Sequence, residues 1–400
     1  MKKLLVLAAG LLQLPVIRRA REMGYYVIAA DADSRAVGLR EADKAFVADI
    51  CSEEVMLRIA REEKIDGIIH PCTEVAMNVM GRINEELHLS GISRATALQA
   101  SNKHLMREAF RTGHAPSPKS LLCADADHAW CLLHDEIQDD AILKPTRSCG
   151  SRGITKVEHN IAQPTFEQYY HRALQESRDH SVVIEQFIDG PEFSVEAIVW
   201  RGEPHILAVT DKKTTAPPFF VELGHNQPSV FPPSVQQQLI EAALAGMKAL
   251  NLDNCAAHCE LKLQNGQPYL MEIGARLGGD FITTVLTPLS TGIDIVGAAI
   301  SVALGEEPDL QPKAAGQGVC IRYFTPQPGM LVGIENEHLL NASYVYDASI
   351  YRNVGDIVPE VRSSLDRSGH IIVLSSTPGS AIEKAEKIVE EVEFLTIQNK

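Results

Sequence analysis

Glu260 and Glu272 are the residues of this sequence whose type and spacing best suit a metal ion. They lie in two β-like runs, A-H-C-E-L-K-L and P-Y-L-M-E-I-G, joined by Asn265-Gly266, a pair that tolerates the positive φ of a tight turn. Two carboxylates side by side repel each other unless a cation lies between them, and Mg²⁺ is usually held by one or two carboxylates together with phosphates. The hairpin therefore predicts a magnesium clamp.

The register of this hairpin depends on the length of its loop. A two-residue turn at Asn265-Gly266 would place Glu260 opposite Met271. Because side chains alternate between faces, Glu272 would then point away from its partner. For the carboxylates to face each other the loop needs an odd length of three or five residues, and Pro268, which cannot donate a ladder hydrogen bond, favours the longer loop. The alternative is that both glutamates are ordinary solvated strand residues.

Two features elsewhere predict the binding of a phosphate group. Lys144 ends one strand, and a loop of small residues from Ser148 to Gly153 leads into the next strand. Small residues let backbone N–H groups converge on an anion, and the lysine adds a point charge, which together suit a triphosphate. Arg276, beyond the metal hairpin, adds a planar guanidinium suited to phosphate or carboxylate. The G-x-x-x-x-G-K-[ST] string of a P-loop is absent, and a plain hairpin turn is the alternative.

The segment E-Q-F-I-D-G-P-E is predicted to form the ends of two strands around a Gly-Pro turn. Glu185, Phe187 and Ile188 could present a carboxylate, backbone groups and an apolar wall to a flat base. Glu192, after the turn, could then bind ribose hydroxyls. An edge hairpin without a function is the alternative.

Residues 210–229 are predicted to form a long irregular loop. The segment contains Lys212, Glu222 and His225 among aromatic residues. Loops of this length within compact domains are usually functional or disordered, and the mixture of titratable and aromatic groups favours a functional loop.

The composition is that of an ordinary globular protein with an acidic balance. The 400 residues are 45% hydrophobic and 22% charged, and the net charge is −15. This charge argues against a general nucleic-acid or anionic-membrane surface, although local basic clusters can bind a phosphorylated small molecule. The eight cysteines form no C-x-x-C pair, which predicts reduced thiols in a cytoplasmic protein. No stretch is long and apolar enough to span a bilayer.

The order of the predicted elements indicates an α/β fold. Two buried-type strands, Lys3–Leu7 and Tyr26–Ala30, flank a helix that Gly24 ends, which predicts a βαβ unit. The first turn lacks G-x-G-x-x-G, so a dinucleotide-dependent oxidoreductase is not supported. Further along, H-P-C-T-E places Glu74 at the carboxyl end of a strand, where open α/β sheets bind ligands.

An ordered set of residues resembles the ATP-grasp superfamily across most of the chain. The set is Lys103, Lys144 with its loop, the E-Q-F-I-D-G-P-E segment, Glu260, Glu272 and Arg276. The closing part, from G-D-I-V-P-E-V-R to the final helix, is similar to the C-terminal domain of the biotin-carboxylase-like branch. Within that branch, E-L-G-H-N-Q-P-S and E-I-G-A-R-L-G-G-D look most similar to L-amino-acid ligases and related carboxylate–amine ligases.

The resemblance implies an ATP-grasp fold of three parts. Residues 1–95 would form an open parallel-sheet α/β domain that precedes the ATP-grasp domain. Residues 96–305 would form the ATP-grasp domain, α+β in character, with a lid subdomain at about 115–190. Residues 306–400 would form a small β-rich domain.

The resemblance also assigns roles. The implied ATP-binding residues are Lys103, Lys144, Ser148, Gly150, Ser151, Gly153, Glu185, Phe187, Ile188, Glu192 and Lys212. Glu260 and Glu272 would bind Mg²⁺, with Mn²⁺ as an alternative ion. Arg276 and Lys144 would be catalytic, with Arg276 stabilising the transferred phosphoryl group or an acyl phosphate. We further expect substrates to contact Glu74, Glu222, His225, Arg276, Gly278 and Gly279.

The implied activity joins a small-molecule carboxylate to an amine on amino-acid substrates. MgATP would phosphorylate the carboxylate, and the amine would attack the acyl phosphate, releasing ADP and phosphate. One residue departs from the family pattern, because Gly274 stands where the family usually has Asn. The lost side-chain ligand leaves the number of metal ions open. The resemblance also suggests a homodimer, with no nucleic-acid or membrane partner.

Two other functions remain open at this point. A phosphoribosylglycinamide-type synthetase or related ligase or carboxylase of nucleotide metabolism would share the same ATP residues, but would need a second phosphate site, and the sequence shows no further basic cluster. A nucleotide-binding regulator that has lost turnover would bind MgATP without substrate-dependent hydrolysis.

Overall fold

The structure is a computed structural model that describes residues 1–148, 152–217 and 219–398. Within these residues the strands are β1 Lys3–Leu7, β2 Tyr26–Asp31, β3 Lys44–Val47, β4 Gly67–Ile69, β5 Ser120–Cys123, β6 Ala141–Pro145, β7 Thr155–Val157, β8 Val182–Gln186, β9 Glu192–Trp200, β10 Glu203–Thr214, β11 Glu222–Gln227, β12 Cys255–Gln264, β13 Gln267–Gly274, β14 Gly318–Phe324, β15 Gly329–Glu335, β16 Val345–Ile350, β17 Ile357–Val358, β18 Gly369–Ser375 and β19 Glu393–Ile397. The α-helices are α1 Leu14–Glu22, α2 Glu53–Glu63, α3 Met77–Leu87, α4 Arg94–Ala100, α5 Lys103–Thr112, α6 Ala126–Leu132, α7 Gln163–Glu176, α8 Pro233–Ala249, α9 Thr287–Thr291, α10 Ile295–Ala303 and α11 Pro378–Glu391.

The N-terminal strands form the parallel sheet that the sequence predicts. Its order is β3-β2-β1-β4, and the strands β1, β2 and β4 are buried almost throughout. Runs of buried apolar residues without alternation are typical of parallel strands covered on both faces. Glu74 lies in the segment after β4, and therefore at the carboxyl end of the strands of this sheet, where open α/β sheets bind ligands.

An eight-stranded sheet is the scaffold of the site. Its order is β13-β12-β9-β10-β11-β14-β18-β16, and every neighbouring pair is antiparallel. Strands β9 to β13 precede residue 305 and strands β14, β16 and β18 follow it. The chain on both sides of the boundary proposed at 305/306 therefore contributes strands to the same sheet.

A separate four-stranded sheet, β5-β8-β6-β7, carries Lys144 and Glu185. Its hydrophobic cluster, which includes Phe166, Tyr170 and Ile184, contains only residues between 121 and 184. This cluster falls within the lid subdomain proposed at about 115–190. The two strands predicted on either side of the Gly-Pro turn are present as β8 and β9, but they belong to different sheets, so the alternative of an edge hairpin is wrong.

The predicted irregular loop at 210–229 is also wrong. Strand β10 continues to Thr214 and pairs with β11, so that Lys212 lies directly opposite His225 and only residues 215–221 connect the two strands. Polar residues dominate β11, yet His225, Asn226 and Gln227 are all buried. A central strand that carries buried polar groups cannot be told from a loop by its hydrophobic pattern.

Residues 94–112 form two helices, α4 and α5, separated by a short break. The break falls at Asn102, whose side-chain oxygen accepts a hydrogen bond from the backbone N–H of Leu105 and so caps α5. The cap fixes Lys103 as the first residue of α5. Its side chain is buried and points toward the hairpin of β12 and β13, where it meets Glu272.

The described part of the chain has no single helix that could cross a membrane. One bent pair, Ile282–Thr291 with Ile295–Ala303, has the length and composition of a broken span.

Candidate active site

A cavity of about 400 Å³ lies between the eight-stranded sheet, the four-stranded sheet and the segment after β4. Most of the residues predicted from the sequence line it, namely Glu74, Lys103, Lys144, Ser148, Glu192, Lys212, Glu222, His225, Glu260, Glu272, Arg276 and Gly279. Gly153, Glu185, Phe187, Ile188 and Gly278 are not in its wall. Gly150 and Ser151 lie outside the described residues.

Glu260 faces Glu272 across β12 and β13, but not for the reason that the sequence suggested. The loop is the short turn Asn265-Gly266, with φ of 52° and 76°, and Gln264 pairs with Gln267. The odd loop length that we expected is therefore wrong. Instead, the register shifts between Glu260 and Leu261, because Met271 is an extra residue in β13. This β-bulge brings the two carboxylates opposite each other.

Each of the two glutamates lies beside a lysine. Lys212 Nζ is 2.8 Å from Glu260 Oε1, and Lys103 Nζ is 3.3 Å from Glu272 Oε2. Lys212 also lies 3.1 Å from Glu192 and 3.6 Å from Glu222. Burial alone would lower the pKa of Lys212, but the three carboxylates outweigh it and raise the pKa well above its ordinary value. Lys212 is therefore a permanent cation at the centre of the site.

Arg276 joins the hairpin to the N-terminal part of the chain. Its Nε and Nη2 both donate to Glu74 Oε1, the first at 2.7 Å. Burial raises the pKa of Glu74, but Arg276 outweighs this effect and the pKa falls below its ordinary value. The guanidinium also lies over Gly274, because a Cβ there would be 3.1 Å from Arg276 Cζ and Nε. Glycine at this position thus leaves room for the ion pair.

Glu185 lies behind Lys144 rather than in the cavity wall. One of its oxygens is 2.6 Å from Lys144 Nζ, and the other is 2.9 Å from Arg107 Nε. Burial raises the pKa of Glu185, but Arg107 and Lys144 outweigh it and hold the pKa at about 2. Arg107 also donates to the bulge carbonyl of Met271 at 2.8 Å. The role expected for Glu185 in contacting a base stays a prediction, and in this structure the carboxylate positions Lys144.

Lys262 is a site residue that the sequence interpretation missed. Its Nζ lies 5.7 Å from the ring centre of Phe187 and 5.1 Å from that of Phe220, and 3.9 Å from Glu192. Lys262 follows Glu260 by two residues on one strand, so it points to the same face. The alternation of side chains along a strand, which places every second residue on one face, was the signal that could have identified Lys262.

His258 was missed as well, although the same alternation points to it. Its Nδ1 lies 2.7 Å from Glu196 Oε1 and its Nε2 lies 3.3 Å from Glu260 Oε1. Burial alone would lower the pKa of His258, but Glu196 outweighs it and the pKa rises to about 9. Ser194 donates to the same Glu196 oxygen at 2.7 Å. Hydrogen bonds from Ser194 through Glu196 and His258 therefore fix the orientation of the Glu260 carboxylate.

The residues present fit a magnesium ion that is bound together with phosphates. Across the ranges that the structure describes, no group of three or more His, Cys, Asp or Glu could hold a metal ion. Glu260 and Glu272 offer two carboxylates on one face, each beside an ammonium group. Such a pair matches an ion whose other ligands are phosphate oxygens and water.

Comparison with known families agrees with this arrangement. A model of the ATP-grasp domain matches residues 137–284, and a model of the L-amino acid ligase C-terminal domain 2 matches residues 322–396. The chain contains an ATP-grasp domain. That domain includes Lys144, Lys212, both facing glutamates and Arg276, and the segment that follows it is a C-terminal domain of the L-amino acid ligase type.

Individual relatives point the same way. Alanine–anticapsin ligase of Bacillus subtilis (strain 168) is 28% identical over 249 residues, which cover 57% of this chain and 52% of the relative. The match thus spans about half the length of that relative. The solved L-amino acid ligase of Bacillus licheniformis has a TM-score of 0.83 at 20% identity, covering 100% of this chain and 99% of its own. Phosphoribosylglycinamide synthetase of Anaerococcus prevotii has a TM-score of 0.78 at 21% identity, with coverages of 99% and 100%. These structures confirm the predicted ATP-grasp fold.

Proposed function

We propose that this protein is an ATP-dependent carboxylate–amine ligase that joins amino-acid substrates by an amide bond and releases ADP and phosphate. The facing pair Glu260 and Glu272, with Lys103, Lys212 and Arg276 around it, carries the proposal. Phosphoryl transfer needs positioning and electrostatic stabilisation rather than covalent chemistry from the protein, and these residue types supply both. The similarity to alanine–anticapsin ligase supports amino acids as the substrates.

The nucleotide would lie between the two sheets. Lys103 and Lys144, both buried in the cavity wall, would contact its phosphates, and Glu192 would bind its ribose. A magnesium ion held by Glu260 and Glu272 would neutralise charge on the phosphate oxygens. Mn²⁺ accepts the same oxygen ligands and would replace it in an assay.

Two bond changes complete the proposed reaction. A substrate carboxylate oxygen attacks the terminal phosphorus of ATP, which gives an acyl phosphate and ADP. The amine then attacks the acyl carbon, the carbon–oxygen bond to phosphate breaks, and an amide forms. Arg276 would stabilise the charge that develops on the transferred group, and loss of one such group typically costs ~3 kcal/mol in the transition state.

The test is phosphate release from MgATP with amino acids offered singly and in pairs, together with identification of ADP or AMP. We expect ADP and phosphate only with particular pairs, and no release from Glu272→Gln. Glu335→Gln, a change in β15 outside the cavity wall, is the control and should match the wild type.

Other outcomes would overturn the proposal. Formation of AMP contradicts an acyl phosphate. Turnover with glycine and a phosphoribosyl amine, but with no pair of amino acids, would favour a phosphoribosylglycinamide-type synthetase. Binding of MgATP without turnover on any substrate would favour a regulator.

A further inference from the structure

His225 is a buried histidine at the cavity whose hydrogen-bonding capacity is unused. Its side chain is 1% exposed, and within the described residues neither ring nitrogen has a hydrogen-bond partner. Buried polar groups are almost always paired, so each exception requires an explanation. Because His225 lines the cavity, a bound substrate could provide the missing hydrogen-bond partner.

Asp280 lies next to this histidine. Its Oδ2 is 3.6 Å from His225 Nε2, slightly longer than a hydrogen bond, and it also lines the cavity. Contacts between a catalytic base and the group that orients it are often long without substrate and tighten when substrate binds. With Nε2–H directed at Asp280, Nδ1 remains as the acceptor.

The C-terminal part of the chain holds Asp280 in place. Both nitrogens of the Arg367 fork donate to it, at 2.7 and 2.9 Å, and the guanidinium lies 3.7 Å above the ring of Tyr323. Burial raises the pKa of Asp280, but Arg367 and His225 outweigh it and the pKa falls well below its ordinary value. Asp280 therefore stays a carboxylate at any pH at which the protein works.

The backbone at this point is held in a rare conformation. Asp280 and Phe281 have φ of 49° and 63°, and positive φ is uncommon for aspartate and rarer still for a bulky aromatic residue. The ring of Phe281 packs 4.6 Å from that of His370, which Tyr351 and Asp347 fix by hydrogen bonds of 2.6 and 2.9 Å. Strained residues that persist through such restraints cluster at functional sites.

The position of His225 suits a proton transfer near the reacting groups. Across the ladder it faces Lys212, whose ammonium touches Glu260, and side chains directly opposite in a sheet lie ~5 Å apart. The charged and titratable groups around it are Asp280, Lys212 and Tyr323, with Arg367 behind Asp280.

We propose that His225, oriented by Asp280, accepts the proton that the attacking amine must lose, and that Arg367 is the residue that positions this pair. The inference rests on the proposed ligase function. The ammonium gives one proton to His225, and its freed electron pair attacks the acyl carbon. The C–N bond forms, the bond to phosphate breaks, and phosphate leaves with the electron pair. The amide nitrogen loses its second proton to the departing phosphate, and the imidazolium returns its proton to solvent.

The test compares two nucleophiles. An amino acid enters as an ammonium and needs a base, whereas hydroxylamine is already unprotonated at neutral pH and traps an acyl phosphate as a hydroxamate. We expect His225→Gln to lower amide formation by about 10²- to 10⁴-fold while hydroxamate formation stays close to wild type. Its amide rate should also rise with pH as the free amine becomes available.

Two further variants make the test independent of one substitution. Asp280→Asn should show the same separation of the two rates, and Arg367→Lys, which keeps the charge but loses the fork, should lower kcat for the amide with little change in KM. His205→Gln, at an exposed histidine of β10, is the matched control.

The results distinguish failure of the proposed ligase function from failure of the proposed role of His225. If wild type forms neither hydroxamate nor ADP, the ligase function itself fails. If wild type forms both the amide and the hydroxamate, but His225→Gln loses the two activities equally or keeps them equally, the base is a different group and the inference is wrong.

Discussion

Arg276 donates two hydrogen bonds to Glu74, and so connects the segment after β13 to the segment after β4. The two residues are separated by 202 positions in the sequence. Their side chains are 13% and 15% exposed, which makes the contact a largely buried ion pair. The pair forms the part of the cavity wall where the hairpin and the N-terminal sheet meet.

Replacing Glu74 with Gln should destabilise the folded protein. Removing one partner of a buried pair leaves the other charge uncompensated, which typically costs ~3 kcal/mol. Urea unfolding of the two proteins measures this difference. Asp33→Asn, which removes an exposed contact with Arg35, is the control and should leave the midpoint unchanged. An unchanged midpoint for Glu74→Gln would show that Arg276 finds another partner.

Gly274→Asn introduces the residue that ATP-grasp proteins usually have at this position, yet we expect it to lower activity. A side chain there would meet the guanidinium of Arg276 at 3.1 Å and displace it from Glu74. Steady-state kinetics should show a fall in kcat of about ten-fold or more, because a displaced stabilising group acts chiefly on the transition state. Gly379→Ala, at a site with open space, is the control. A gain in activity with tighter Mg²⁺ dependence would mean that the asparagine binds a second ion.

Lys212→Gln should change the metal dependence of the site. Without the ammonium, Glu192, Glu222 and Glu260 would repel one another, and a divalent cation would relieve that repulsion. Mn²⁺ should then bind the variant more tightly than the wild type in the absence of nucleotide, as electron paramagnetic resonance can measure, while kcat falls. Lys213→Gln is a matched control, because Lys213 is the next residue and pairs with Glu386 on the other face. Equal Mn²⁺ affinity in all three proteins would contradict this prediction.

Glu185 should make the stability of the protein depend on pH in the acid range. Its pKa is about 2 in the folded protein against an ordinary value of 4.5, so its contribution is fully present above about pH 4.5 and is lost as the pH falls toward 2. The free energy of unfolding should therefore differ between wild type and Glu185→Gln by about 3 kcal/mol at pH 7, and by progressively less below pH 4.5.

Urea titrations at a series of pH values would measure this difference. Glu136→Gln, at an exposed pair with Lys119 whose hydrogen bond and charge also lower the pKa of the carboxyl, is the control and should show a much smaller trend because solvent screens the pair. A difference that stays constant down to pH 3 would place the effect in packing rather than in the charge of Glu185.

The sequence was informative where residue types and their order along the chain resemble a known family. Glu260, Glu272 and Arg276 were predicted as a group on that resemblance, since the two glutamates alone could also be solvated strand residues, and all three line one cavity. The bulge at Met271 could not be predicted, because a bulged methionine has the same local sequence as a paired one. That Glu260 faces Glu272 was thus predicted from an odd loop length, whereas the bulge at Met271 is the cause.

Residues whose partners are distant in sequence were beyond prediction. Asp280 meets Arg367 across 87 positions and Glu185 meets Arg107 across 78. Neither spacing follows a helical or strand period, so only the folded chain brings these side chains together. His225 was predicted as a site residue, but on an irregular loop, because a polar strand in the centre of a sheet does not have the usual pattern of a strand.

The pairing of β11 with β14 determines where this protein can be divided. A fragment that ends at residue 305 would lose Arg367 and would also leave β11 as an open edge, with backbone N–H and C=O groups that β14 now satisfies. Unprotected edges of this kind recruit other chains and lead to aggregation. The ATP-grasp part is therefore expected to be produced in soluble form only when β14, β18 and β16 are all kept with it, because β14 alone would in turn expose the edge that β18 now covers.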